Sequence, residues 1–148
     1  MRASRTVVIV GMLFFGSGSL YASQSTPFDT CFDSTAEYFG IAPSLLKAIG
    51  WVESRFDPDA VSKKGAIGVM QVHSWWFSRL PQGVDEKALR KPCVNIVVGA
   101  WILSQEIGRF GATWRAVAAY NTGAGRLDRM INSGVDYVEL VQRAIARF

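Results

Sequence analysis

The sequence predicts an all-α domain, and three observations predict it. Apolar residues recur at spacings of three and four along most of residues 23–148. Alternation with a period of two is nearly absent. Proline and glycine stand where such stripes begin and end, as helix punctuation requires. The 148 residues are enough for one compact domain and too few for two ordinary ones. With 49% hydrophobic and 19% charged residues, the chain is too apolar for disorder and too charged to be mostly membrane-embedded. Five to seven helices are expected, without repeats or low-complexity tracts.

Residues 1–22 stand apart. Arg2 and Arg5 give a positive start, residues 7–15 form an uncharged apolar run, and Gly16, Ser17, Gly18 and Ser19 precede Leu20-Tyr21-Ala22. That order reads as a signal peptide, with cleavage expected after Ala22; the alternative is an uncleaved anchor. A spanning helix needs about 20 apolar residues, and the Gly/Ser-rich second half of the segment falls short of that. A mature domain of residues 23–148, exported to the periplasm, is therefore expected.

The first mature helix is expected over residues 28–39, carrying Cys31. Pro43 suits the first position of the next, whose Leu45, Leu46, Ile49 and Val52 share a face. Residues 56–68 hold Pro58, Gly65 and Gly68 and cannot form one regular helix, which leaves their backbone free to line a cleft. A short helix is expected from about Val69 to Arg79, before Pro81. Pro92 opens another, with Ile96, Ala100, Leu103 and Ile107 on one face and Gly108 or Gly111 at its end. Thr113 is the expected N-cap of a helix reaching Tyr120 and stopped near Gly123. Asp136 is the expected cap of the last, striped by Tyr137, Val141, Ala144 and Phe148.

Charge and counts exclude several functions. The 16 basic and 12 acidic residues give a net charge of +4; without Arg2 and Arg5 the mature part carries +2. Its basic residues are scattered, so the footprint of a nucleic-acid binder is missing. One histidine, His73, and two cysteines rule out a multi-histidine metal site and a zinc ribbon. No metal or cofactor is expected. In an oxidising compartment Cys31 and Cys93 are expected to form a bridge, the alternative being two buried thiols. No nucleophile elbow, phosphate loop or H-E-x-x-H motif occurs.

Acid chemistry by a carboxyl group remains. Glu53 lies at the end of the Pro43 helix, beside Val52 and four residues after Ile49, on the border of the buried stripe. Burial and the unpaired carbonyls of a helix C-terminus both disfavour its ionised form. Both push its pKa upward, as a general acid near neutral pH requires. Arg55 opposes this if it folds back. Taken by position alone, Glu53 reads equally as a surface residue near a helix end.

The neighbouring residues separate the two readings. Glu53-Ser54 is followed by Ser62, then by Gly65-Ala66-Ile67-Gly68-Val69-Met70-Gln71, and later by Ala119-Tyr120-Asn121-Thr122-Gly123. This arrangement resembles the lytic transglycosylase family with the soluble-transglycosylase type of catalytic domain, over roughly residues 41–138. That family's pattern is a Glu-Ser pair, a Ser nine residues on, a Gly-Ala-x-Gly-hydrophobic-Met-Gln block and a distal Ala-Tyr-Asn-x-Gly. Two departures stand out: Thr122 replaces a small Ala, and Val72-His73 follows the Gln where many members carry an aliphatic residue and then Pro or Asn. Both bear on substrate preference more than on the acid.

The resemblance implies a lysozyme-like helical fold, related to goose-type lysozyme, with a groove for a glycan strand. It implies cleavage of the β-1,4 link from N-acetylmuramic acid to N-acetylglucosamine in peptidoglycan, leaving a 1,6-anhydro end, with Glu53 as acid and then base. Ser62, Gln71, Tyr120 and Asn121 match substrate-binding positions, with Tyr120 facing and orienting the Glu. Each has a plainer alternative, as a turn serine, a helix-surface amide, a core tyrosine or a helix-end residue. Small members of the family serve secretion, pilus or conjugation machines, which makes such an apparatus an expected partner beside the glycan strands. Trp75 and Trp76 are candidates to stack on sugar; Trp101 and Trp114 fall in helical stripes and are expected in the core. His73 is either a groove residue or partly buried structure. One rival is a hydrolytic muramidase, with Asp57 or Asp59 activating water. Another is a non-catalytic glycan-binding assembly factor.

Overall fold

A computed structural model describes residues 23–80, 82–125 and 131–148. The expected signal peptide, residues 1–22, lies outside the described residues. Six α-helices, one 3-10 helix and a two-stranded hairpin make up the regular structure of the described residues.

Helix α1 (Asp29–Phe39) ends at Gly40, whose φ of 64° is the left-handed turn that glycine favours. Helix α2 (Pro43–Ser54) starts on its proline and buries Leu46, Ala48 and Ile49, while Leu45 and Val52 are half-buried along the same stripe. Lys47 is buried between the two helices, its ammonium 3.1 Å from Asp29 and 2.8 Å from Asp33 of α1. The long helix α4 (Pro92–Phe110) packs against α1 on one side and α5 (Trp114–Thr122) on another, and α6 (Ile131–Ile145) closes over α2 and α5. Phe32, Leu46, Ile49, Met70, Ile96, Leu103 and Val141 meet in the centre, fully buried. Cys31 of α1 and Cys93 at the start of α4 form the expected disulfide, their Cα atoms 5.3 Å apart.

Three expectations are corrected, and one unexpected element appears. The segment after Val69 is not a helix. Strand β1 (Ala66–Ile67) turns back through Gly68–Gln71 into β2 (Val72–His73), pairing Ala66 with His73 and Ile67 with Val72, and a 3-10 helix follows over Ser74–Arg79. Gln71 adopts a left-handed φ of 49°, which ends any helix there. Helix α6 begins at Ile131, so Asp136 sits inside it and not at its cap; packing against α2 and α5 carries the helix through its Gly134. A one-turn helix, α3 (Glu86–Leu89), was not expected; Asp85 caps it, accepting the Ala88 N–H at 2.8 Å. Trp114 is 43% exposed, because it opens α5 at the molecule's edge, whereas Trp101 is half-buried and packs edge-on against buried Trp76.

Candidate active site

Glu53 occupies the last turn of α2 and faces α6. Tyr137, buried in the middle of α6, donates its hydroxyl to Glu53 Oε1 at 2.7 Å. The surrounding protein strips the carboxylate of water and raises its pKa from 4.5 to about 7. The Tyr137 hydrogen bond works the other way and only moderates the rise. Burial is thus the cause of the raised pKa. At the end of α2 the Arg55 N–H reaches the Gly50 and Trp51 carbonyls, and the Asp57 N–H reaches that of Ser54. The Arg55 side chain does not fold back onto the acid; its guanidinium lies 4.8 Å over the Trp51 ring.

The backbone turns sharply just after the acid. Arg55 and Phe56 both adopt left-handed φ values, 55° and 66°. With Gln71 they are the non-glycine residues of positive φ among the described residues. Such conformations cost about 1–2 kcal/mol each and persist where packing over-determines them. Here the buried Phe56 ring is wedged between Phe32, Trp51 and Phe148. Ser54 Oγ then donates to the Val69 carbonyl at 2.9 Å, tying the end of α2 to the hairpin turn.

That turn is anchored from below by Asn95, a fully buried side chain of α4. Its Oδ1 accepts the Met70 N–H at 2.7 Å, and its Nδ2 donates to the Ile67 and Leu89 carbonyls, each at 2.9 Å. Gly68, at a φ of +75°, has to be glycine: a Cβ there would lie 2.5 Å from Asn95 Nδ2. Tyr120 reaches the same turn from α5 and donates its hydroxyl to the Met70 carbonyl at 2.7 Å. Burial raises the Tyr120 and Tyr137 pKa values well above their ordinary range, and the negative charge of Glu53 adds to the rise, so both hydroxyls keep their protons.

The expected site residues divide. The charge of Glu53 is felt at Tyr120, but the hydroxyl on the acid is that of Tyr137, not Tyr120. Gln71 is half-buried, its Nε2 donating to the Gly68 carbonyl at 3.0 Å and the Ala60 carbonyl at 3.2 Å. Ser62 makes no hydrogen bond to Glu53. Its Oγ accepts the Ala66 N–H at 3.0 Å and the Lys64 N–H at 3.3 Å, holding the tight turn that feeds β1. Asn121 is exposed at the end of α5. His73 is half-buried with its ring stacked on exposed Trp75, centroids 4.4 Å apart. Asp57 and Asp59 are exposed, and Asp57 accepts the Asp59 N–H in a local turn. The sequence alone marks Tyr137 only as part of an apolar stripe. The signal that finds it is a tyrosine in an apolar stripe facing another helix, whose polar tip needs a partner there.

Comparison with known proteins decides the family. The transglycosylase SLT domain family matches residues 30–137, most of the chain. The chain belongs to this family. Its enzyme class is that of the peptidoglycan lytic transglycosylases, and its helical architecture is lysozyme-like. It is 36% identical over 119 residues to the X polypeptide of Escherichia coli, covering 76% of this chain and 70% of that one. It is 37% identical over 107 residues to the invasion protein IagB of Salmonella typhimurium, covering 68% and 67%. An inactive Glu-to-Gln mutant of the lytic transglycosylase Slt from Pseudomonas aeruginosa superposes with a TM-score of 0.69 at 28% identity. That match covers 81% of this chain and 24% of the larger protein.

Proposed function

We propose that this SLT domain cleaves the β-1,4 link from N-acetylmuramic acid to N-acetylglucosamine with Glu53 as the one catalytic carboxyl group. The observation that carries this reading is the desolvated Glu53, raised to about pKa 7 and held by Tyr137. At that pKa a large fraction is protonated near neutral pH and ready to donate. Glu53 gives its proton to the glycosidic oxygen as the bond to C1 of the muramic residue breaks. The acetamide oxygen of that residue attacks C1 and carries the positive charge. Glu53, now a carboxylate, takes the proton of the C6 hydroxyl; C6–O bonds to C1, the acetamide leaves, and a 1,6-anhydro end results. Tyr137 fixes the carboxyl and stabilises its ionised form between the two steps. Substrate assistance removes the need for the second carboxylate of ordinary glycosidases.

The remaining groups suit glycan binding. Both Nε2 protons of Gln71 are used by backbone carbonyls, which leaves its Oε1 as an acceptor for a sugar. Ser62 Oγ accepts two N–H groups and keeps its own proton to donate. Tyr120 and Asn121 line the same end of α5. Action on peptidoglycan and the Cys31–Cys93 disulfide support an exported, periplasmic protein. None of the described helices is long and apolar enough to cross a membrane. Likeness to a protein named for invasion supports a role in opening the wall locally for an envelope-spanning apparatus.

Mass spectrometry of digested sacculi tests the reaction. Wild type is expected to release muropeptides one water lighter than hydrolysed ones, and Glu53→Gln to release none. Hydrated reducing ends from the wild type would establish a muramidase instead, and unchanged lysis by the variant would remove Glu53 from the mechanism.

A further inference from the structure

We propose that the pocket between the 3-10 helix, α4 and the Gly123–Gly125 turn binds a free α-amino-acid centre, an ammonium and a carboxylate on one carbon. The pocket measures about 350 Å³ and is lined by Trp75, Trp76, Arg79, Glu106, Arg109 and the Gly123 turn. Glu106 is the unusual member. It projects from α4 and is only 1% exposed, yet its Oε2 has no hydrogen-bond partner among the described residues. Among the described residues its Oε1 has only Arg109, 4.0 Å away and 55% exposed. Burial raises the Glu106 pKa, and the charges of Arg109 and Arg79 only moderate the rise. A buried carboxylate oxygen without a donor is costly unless something supplies one. An ammonium group supplies it. The two guanidinium groups then face the carboxylate on the same carbon, the anion that arginine's planar fork matches best. Trp75 and Trp76 offer apolar walls to the hydrocarbon that carries both groups.

The pocket adjoins the proposed glycan cleft. A Cβ at Gly123 would lie 3.7 Å from the Trp75 ring, and Trp75 stacks on His73, two residues beyond Gln71. A diamino acid in a peptidoglycan stem peptide presents such a centre, so the ligand in situ is assigned as the stem peptide. This second step rests on the proposed function; the binding of the amino-acid centre does not.

Calorimetry on the intact protein separates the two. Meso-diaminopimelic acid is expected to bind, with pimelic acid and 1,5-diaminopentane at least about tenfold weaker, since each lacks one charged half. Glu106→Gln and Arg109→Met are each expected to weaken binding by about tenfold or more. Arg109 is half exposed, so its variant tests the site even if Glu106→Gln fails to fold. No binding of diaminopimelic acid, or equal binding of pimelic acid, overturns the site. For the stem peptide, the readout is the KM ratio between strands bearing peptides and strands stripped of them. Wild type is expected to favour peptide-bearing strands and Arg109→Met to lose that preference. A preference unchanged in Arg109→Met overturns the stem-peptide assignment alone, whereas activity in Glu53→Gln would refute the catalytic reading and leave the calorimetry standing.

Discussion

Glu53 links the chemistry of the site to the stability of the fold through one proton. Its folded-state pKa of about 7 lies above its ordinary value of 4.5. Below pH 4.5 the group is protonated whether the chain is folded or not, and its burial is cheap. As pH rises from 4.5 to 7 the unfolded chain releases the proton first, so the folded state loses stability across that window. Above about pH 7 the buried carboxylate costs roughly 3 kcal/mol, the free-energy equivalent of the shift. Glutamine keeps the shape and the acceptor for Tyr137 without the charge. Glu53→Gln is therefore expected to be more stable than wild type at pH 8 by up to roughly 3 kcal/mol, with the gap closing below pH 4.5. Urea denaturation at pH 4 and pH 8 checks this; a gap independent of pH would mean that Glu53 titrates normally.

At the scale of elements, the β1–β2 hairpin turn does the positioning. It receives Ser54 from α2 and Asn95 from α4 on the Val69–Met70 peptide, and Tyr120 from α5 on the Met70–Gln71 peptide. Asn95 is wholly structural: fully buried, it also ties the end of α3 to the turn through the Leu89 carbonyl. Asn95→Ala leaves the Met70 N–H and two carbonyls without their buried partner, at a cost of roughly 3 kcal/mol. Activity is expected to fall with it, as the Met70 carbonyl that holds Tyr120 loses its anchor. A urea midpoint equivalent to a loss below about 1 kcal/mol would show that the turn holds itself. The sequence displayed this turn as glycines at positions 65 and 68 and a following Gln, without displaying its shape. A two-residue strand has no period to detect, and Gln71 enters a left-handed conformation through tertiary bonds that no local preference announces. The α2, α4 and α6 stripes were legible because each buries one face over several turns. Tyr137 was legible only as part of such a stripe; its partner lies 84 residues away, on a different helix. Asn95 stood unread for the same reason, as a polar residue whose three partners come from other segments.

Over the whole molecule, the catalytic end and the covalent tie occupy different helix pairs. Glu53 and Tyr137 meet where α2 packs on α6, while the Cys31–Cys93 bridge joins α1 to the start of α4. The bridge closes a loop of 62 residues that contains α2, the hairpin and α3. Fixing the ends of a loop that long removes chain entropy from the unfolded state worth about 4 kcal/mol. The folded arrangement does not depend on it for geometry: α1 is also held to α2 by Lys47 between Asp29 and Asp33, and to the core by Phe32. Replacing both cysteines with serine is therefore expected to lower stability by up to about 4 kcal/mol while leaving kcat on peptidoglycan close to wild type at temperatures where the variant stays folded. Thermal unfolding of the oxidised wild type, the reduced wild type and the double variant makes the comparison. Reduced wild type and the variant should melt together, well below the oxidised form. A variant that melts with the oxidised protein would show that the unfolded chain is already compact enough to need no tether, and a folded variant with lost kcat would show that α1 and α4 hold the cleft open from a distance.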